Sequence, residues 1–267
     1  MRNTVPKLSY SHTSEINGMS GKISEKDQRI LCMRSYCTCA IPTCRKELIV
    51  AKTEHDTESN IGEMAHIKGE KLGSARYDEN MDEKDRNKHD NLILLCSTCH
   101  KTIDDQPGEY TIEKLHSIKF AHEKWASQII RQEISNITFA ELEVITKYLA
   151  SNNVGYVENY QITGHIEKIK KNQLSETVSG LIGMGMTKVT LVREYIDNSY
   201  DNDFGERLRD GFVNEYTRLK NDEKLQGDDM FYSLLVFAGG MVSDIVRSSA
   251  SLAVLVYFFE SCEVFEK

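Results

Sequence analysis

The stretch Asn91-Leu-Ile-Leu-Leu-Cys-Ser-Thr-Cys-His-Lys-Thr-Ile-Asp104 constrains the fold of this chain more than any other. Leu92 to Leu95 is a short apolar run, the pattern of a buried strand. It leads directly into Cys96-x-x-Cys99, a pair at the spacing of a metal knuckle. His100 follows at once and Asp104 stands four residues later, so a helix starting here carries both on one face. One thiolate pair can fasten the turn while the helix offers an imidazole and a carboxylate to a second metal. The first metal would be structural and the second chemical.

A second pair, Cys39-x4-Cys44, lies upstream in a tight, Pro-containing turn. Zinc takes four soft ligands in a tetrahedron, and two turns supply two each, which assigns Cys39, Cys44, Cys96 and Cys99 to one structural Zn2+. Four thiolates also hold together a loop-rich region that lacks apolar area of its own. Cys37 is an alternative to Cys39 as ligand; Cys32 and Cys262 read as core thiols. The first thirty residues are polar and contain nothing like a signal peptide. A cytoplasmic location is the resulting expectation, and clustered cysteines there signify metal more often than disulfide.

At 267 residues and 40% hydrophobic, the chain is long enough for two modest domains. Its net charge of -8 is unevenly placed: residues 1–134 carry 20 Lys+Arg against 21 Asp+Glu, residues 135–267 carry 13 against 20. The nearly neutral first half can hold a local basic site, whereas the acidic half is poorly suited to binding phosphate. No apolar run approaches the roughly 20 residues that span a bilayer, so no membrane partner is expected.

Residues 1–24 lack periodicity and read as a flexible arm. A short helix is expected over Ser24–Met33 and a strand over Leu48–Ala51. Ile61-Gly-Glu-Met-Ala-His66-Ile67 follows, then a charged loop from Glu70 to Asp90 that is too polar to pack. From Tyr110 to Ile130 the spacing predicts a helix with Thr111 as N-cap and Leu115, Ile118, Ala121, Trp125 and Ile129 on one stripe. Lys119, Lys124 and Arg131 then lie on solvated faces, and His89, His116 and His122 on loop or helix surfaces.

The order His66, Asn91, His100, with Asp104 one turn on, carries a resemblance. The segment Cys39 to Asp104 resembles the HNH endonucleases, in the subgroup with an Ala-His-Ile first motif, a Cys-x-x-Cys-His third motif and a thiolate zinc site. About 100 residues are covered, extending to the helix containing Trp125. The resemblance implies a β-hairpin followed by a helix gripping one divalent metal, and hydrolysis of DNA. His66 falls on the general base, Asn91 on the asparagine that ties the hairpin loop and holds the base in place, and His100 and Asp104 on the helical ligands of a catalytic Mg2+ or Mn2+. Phosphodiester cleavage needs a water in line, a base to take its proton, and a cation for the phosphate and the leaving 3′ oxygen. Many relatives place Asp or His directly before the base; here that residue is Ala65. Either two protein ligands plus water suffice, or Glu63, which shares a strand face with Ala65, reaches in as third ligand. A competing reading makes His100 a zinc ligand with one cysteine left over.

The composition changes around Ser135–Thr138, which sets domains at 25–134 and 139–267. An amphipathic helix is expected at Phe139–Leu149, and others at Gly164–Asn172, Ser175–Met184, Lys188–Asp197, Phe204–Lys220, Asp228–Phe237 and Met241 to about Glu260, with a small strand near Tyr156–Thr163. Asp197, Asp201 and Asp203 read as an acidic loop between helices. This half resembles the helical C-terminal modules of bacterial three-component systems, in which an assembly domain joins an N-terminal effector to an ATPase partner. The resemblance implies a protein partner, an ATPase or sensor subunit, docked through residues 139–267, and a role in anti-phage defence.

The expected fold class is thus α+β: a small ββα-metal domain with a structural zinc site, then a mostly α-helical association domain. The expected function is a metal-dependent endonuclease acting on DNA. The competing class is a non-catalytic zinc module that binds nucleic acid or protein; a pure zinc ribbon has no need of His66, Asn91 and Asp104. A third reading is a nuclease that stays silent until its partner assembles. Oligomers are open.

Overall fold

The computed structural model describes residues 22–50, 53–56, 59–151, 165–240, 245–261 and 265. The expected arm up to residue 21, the strand near 156–163 and Cys262 lie outside the described residues. The chain forms two compact units, Met1–Glu123 and Lys124–Lys267. They divide within one long helix, eleven residues before the compositional change at Ser135.

Unit 1 begins with α1 (Glu25–Arg34), where Ser24 caps the helix by accepting from Asp27 N at 3.1 Å. Two short antiparallel pairs follow: β1 (Ile49–Val50) with β2 (Ser59–Asn60), and β3 (Glu63–His66) with β4 (Leu92–Leu95). In the second pair Glu63 faces Leu95 and His66 faces Leu92. All four β4 side chains are buried, and the strand packs with α1 and with the helix that follows. That helix is α3 (Ser97–Asp105), after the short α2 (Glu83–Arg86) in the loop. The long α4 (Ile112–Glu133) closes the unit, and Thr111 Oγ1 caps it by accepting from Lys114 N at 3.3 Å. The core of unit 1 is built from Leu31, Leu48, Ile67, Leu92–Leu95, Ile103 and Leu115.

The loop from Glu70 to Asp90 packs, contrary to its polarity. Arg86, 3% exposed, lies 4.4 Å over the Tyr77 ring and donates to the carbonyls of Gly69, Asp78 and Met81 at 2.9, 2.7 and 3.1 Å. A buried guanidinium here replaces the apolar core that the loop lacks. Gly69 has to be glycine, since a Cβ would lie 2.2 Å from Ser74 Oγ.

Three cations or histidines expected at the surface are instead buried. His89 is held by Asp27, which accepts from its Nδ1 at 3.0 Å and its backbone N–H at 2.9 Å. On α4 the buried line runs through Leu115, Lys119 and His122, and Ala121 is exposed. Lys119 Nζ donates to the carbonyls of His89 and Leu92 at 2.6 and 2.7 Å, and His122 Nε2 donates to Ser35 O at 2.9 Å. The helix is turned by these polar anchors rather than by its apolar stripe.

The Asp27–His89 link gives unit 1 an acid-sensitive fastening. Burial raises the Asp27 pKa, but the bonds from His89 and Ser24 outweigh it and hold the carboxyl at about 2 instead of 3.8. A depressed carboxylate stabilises the fold above the unfolded value, and that contribution, about 2 kcal/mol, is lost as pH falls from about 4 to about 2. Asp27→Asn is expected to remove most of it at pH 7 and to flatten the acid limb. Urea denaturation of both proteins at pH 7 and pH 3 checks this; parallel acid limbs would reject it.

The described residues of unit 2 form helices joined by turns, with no strand among them: α5 (Phe139–Ser151), α6 (His165–Lys171), α7 (Glu176–Met186), α8 (Val189–Asp197), α9 (Phe204–Asn221), α10 (Gly227–Leu235) and α11 (Ile245–Ser261). These match the expected helices to within a few residues. The apolar run Leu252–Phe259 forms the centre, with α7, α5 and α8 packed around α11. Gly185 permits the closest approach, since a Cβ there would lie 2.4 Å from Val256 Cγ2. Among the described residues, no helix is long and apolar enough to cross a membrane.

Candidate functional site

The knuckle before β1 and the turn after β4 come together because Ala40 N donates to Leu94 O at 2.9 Å. This brings Cys39, Cys44, Cys96 and Cys99 into one group whose sulfurs all lie within 4.8 Å of one another. The Cys44 and Cys96 sulfurs are 3.8 Å apart, which is the edge of a tetrahedron with metal–sulfur bonds of about 2.3 Å. Cys96 is also the N-cap of α3, where the helix dipole favours a thiolate. Without a cation, burial pushes the Cys39 thiol up to about 11 and the Cys99 thiol higher still. Four sulfurs held this close, two of them on thiols that burial keeps protonated, can hold a metal ion such as zinc.

Cys37 is not part of this group: its sulfur is bonded to that of Cys32. Cys32 is therefore half of a disulfide and not the core thiol expected. His100 is not a fourth ligand either, since the four cysteines complete the group without it.

Asn91 is 4% exposed and ties the long β3–β4 loop at both its ends. Its Oδ1 accepts from Lys68 N, and its Nδ2 donates to Lys68 O and Arg86 O, each at 2.9 Å. His66, the last residue of β3, is half-buried, and its Nε2 donates to Asn87 Oδ1 at 2.7 Å. That bond places the ring proton on Nε2 and leaves the Nδ1 lone pair to accept. Asn87 was not singled out from sequence, since a lone asparagine in a polar loop carries no signal there.

His100 lies between two carboxylates: its Nδ1 is 2.7 Å from Glu63 Oε2 and its Nε2 is 3.3 Å from Asp104 Oδ2. Glu63, two residues before Ala65 on the same strand, thus does reach the helix. The two carboxylates meet different nitrogens of the ring, however, and the three side chains do not converge on one point; among the described residues only the cysteines do so. Asp104 is further engaged by Arg76, whose Nη2 donates to its Oδ1 at 2.7 Å.

Arg76, with a side chain 4% exposed, is the second residue that sequence reasoning missed. Its guanidinium also donates to Ile67 O, Ile103 O and His66 O at 3.0, 2.6 and 3.2 Å. The end of β3 and the last turn of α3 are therefore clamped by one side chain, and a single nitrogen, Nη2, touches both His66 O and Asp104 Oδ1. Its own backbone is in the left-handed region, at φ 58°.

In unit 2, Asp201 pairs with Arg207 and carries no cluster with Asp197 or Asp203. The acidic-loop reading of this stretch stands on that pairing.

Residues 140–266 match the family described as C-terminal domain 10 of the ABC-three component (ABC-3C) systems. This supports the resemblance read in the sequence of the C-terminal half. No curated protein matches the chain.

Proposed function

We propose that unit 1 is an HNH endonuclease that hydrolyses DNA phosphodiester bonds, with a structural zinc at Cys39, Cys44, Cys96 and Cys99. The observation that carries this reading is the clamp at Arg76, which joins the strand ending in His66 to the helix bearing His100 and Asp104. A zinc ribbon alone has no use for a buried arginine holding an imidazole-bearing strand against that helix.

In this reading His66 Nδ1 takes the proton of the attacking water, and Asn87 fixes the tautomer that makes this nitrogen available. Asn91 keeps the loop, and through it Asn87, in register with β3. The oxygen-rich set of Glu63, His100 and Asp104 suits a hard divalent cation such as Mg2+ or Mn2+, which retains several waters and needs only one or two protein ligands. His100 with either carboxylate would hold it, and it would supply charge for the phosphate and the leaving 3′ oxygen.

Unit 2 extends the proposal to an assembly. Its similarity to a domain of three-component systems supports a protein partner, an ATPase or sensor subunit, docked through residues 139–267, and a role as effector of a bacterial anti-phage defence complex. The acidic charge of this half would keep bulk DNA away until the complex forms.

Incubation of the zinc-loaded full chain with supercoiled plasmid tests the proposal, with added Mg2+ or Mn2+, with chelator, and with the partner ATPase. Conversion to nicked or linear DNA that needs the cation is expected. Binding of DNA with no cleavage under any of these conditions would favour the non-catalytic zinc module.

A further inference from the structure

Cys32 and Cys37 are bonded to each other and are 1% and 3% exposed. Cys39 of the metal group stands two residues further on, yet all four of its cysteines are unbonded. A bound metal ion would take the four sulfurs of that group out of thiol–disulfide exchange and leave the Cys32–Cys37 pair to it. In compartments that keep thiols reduced, a disulfide is usually transient or redox-sensing.

The bond closes one end of a brace. Cys37 N donates to Cys32 O, Leu48 N to Cys37 O and Cys39 N to Lys46 O, each at 2.8 Å, so the loop after α1 runs straight into the knuckle. Tyr36 and Cys37 lie at φ 56° and 45°, a conformation that a non-glycine chain holds only when its surroundings fix it. At the other end of α1, Asp27 holds His89, two residues before the Asn91 tie. One helix therefore connects the metal group to the loop that orients His66.

We infer that Cys32 and Cys37 are a reversible redox couple, a modification site whose oxidation by a small-molecule disulfide braces α1 between the knuckle and the Asn91 loop. Any effect on cleavage rests on the nuclease reading; the couple itself does not. When the loop after α1 opens locally, one cysteine thiolate attacks the small disulfide and displaces a thiolate, and the second cysteine then attacks the mixed disulfide and displaces the other. Two protein thiols become one S–S bond, and the small disulfide leaves as two thiols carrying the two protons and the electron pair.

The test uses full-length zinc-loaded protein equilibrated in buffers of graded reduced and oxidised glutathione. Samples are quenched, unfolded with chelator, alkylated and mapped by mass spectrometry. At the oxidised end five of the seven cysteines should be alkylated, with a peptide linking Cys32 to Cys37; at the reduced end all seven should be, reversibly. Bound zinc should not change. Hydrogen exchange of the α1 amides should slow by about 10-fold on oxidation, while α11 stays the same. The inference is overturned by free Cys32 and Cys37 at both ends, by a bond that persists at both, by links into Cys39 or Cys44, or by equal α1 exchange. The Cys32→Ser, Cys37→Ser double variant should exchange like the reduced protein throughout; if it fails to fold, the wild-type titration decides. A chain that cycles as described but never nicks DNA would sink the nuclease reading and leave the couple standing.

Discussion

Replacing His66 by alanine is expected to lower the rate of DNA cleavage by about 10²–10⁴-fold, the range that a positioned general base supplies. The fold should survive. His66 ends β3, and what the strand needs from it is backbone: its place opposite Leu92 and its carbonyl on Arg76 Nη2. An alanine keeps both. Among the described residues the ring bonds to Asn87 Oδ1 alone, so the variant loses that bond and the lone pair on Nδ1. Zinc content, circular dichroism and DNA affinity should match the wild type, which separates a lost base from a lost structure. Asn87→Ala should act more mildly, reducing kcat by about 10-fold with KM unchanged, because the imidazole remains and only its tautomer is released. Single-turnover nicking of plasmid at saturating enzyme reads both. Wild-type rates in His66→Ala would remove the base assignment, and with it the present account of the chemistry.

The elements of that site were legible where the signal is local. Leu92–Leu95 with Cys96-x-x-Cys99 predicts a strand, a knuckle and a helix start within eight residues, and the structure has all three. Thr111 caps its helix as its sequence context suggests. The four-cysteine grouping followed from spacing because two turns can meet in few other ways. What could not be read was every contact made by a charge buried far from its partner. Arg76 reaches α3 across twenty-eight positions, Lys119 reaches His89 across thirty, and His89 reaches Asp27 across sixty-two. Composition marks such residues as solvated, and only tertiary carbonyls and carboxylates make burial affordable for them. The same cause rotates α4: apolar spacing selected a stripe through Ala121, whereas Lys119 and His122 are buried by their polar partners. Glu63 is the mixed case. Period-two alternation put it on the face of Ala65, and it does meet His100, but alternation has nothing to say about whether three donors share a point.

Cys96→Ser should do to the fold what His66→Ala does to the chemistry. Cys96 supplies one of the four sulfurs, stands at the N-cap position of α3, and directly follows β4, whose four residues are all buried. A serine hydroxyl is a hard, reluctant ligand that does not ionise near neutral pH, so the site would fall to three thiolates and bind zinc far more weakly. A structural zinc contributes about 10–16 kcal/mol to the folding of a small domain, which is as large as the whole stability of a typical one. The core of unit 1 is small and its two sheets are only two strands each, so little remains to hold α1, the hairpin and α3 together. The expected result is a chain with no stoichiometric zinc, unprotected amides in α1, β4 and α3, and normal protection in α11, which belongs to the other unit. Chelation of the wild type should give the same pattern, and adding zinc back should reverse it. Cys32→Ser, outside the metal group, should keep its zinc. A Cys96→Ser protein that stays soluble, holds one zinc and protects α3 as well as the wild type would show that the thiolates are incidental to the fold.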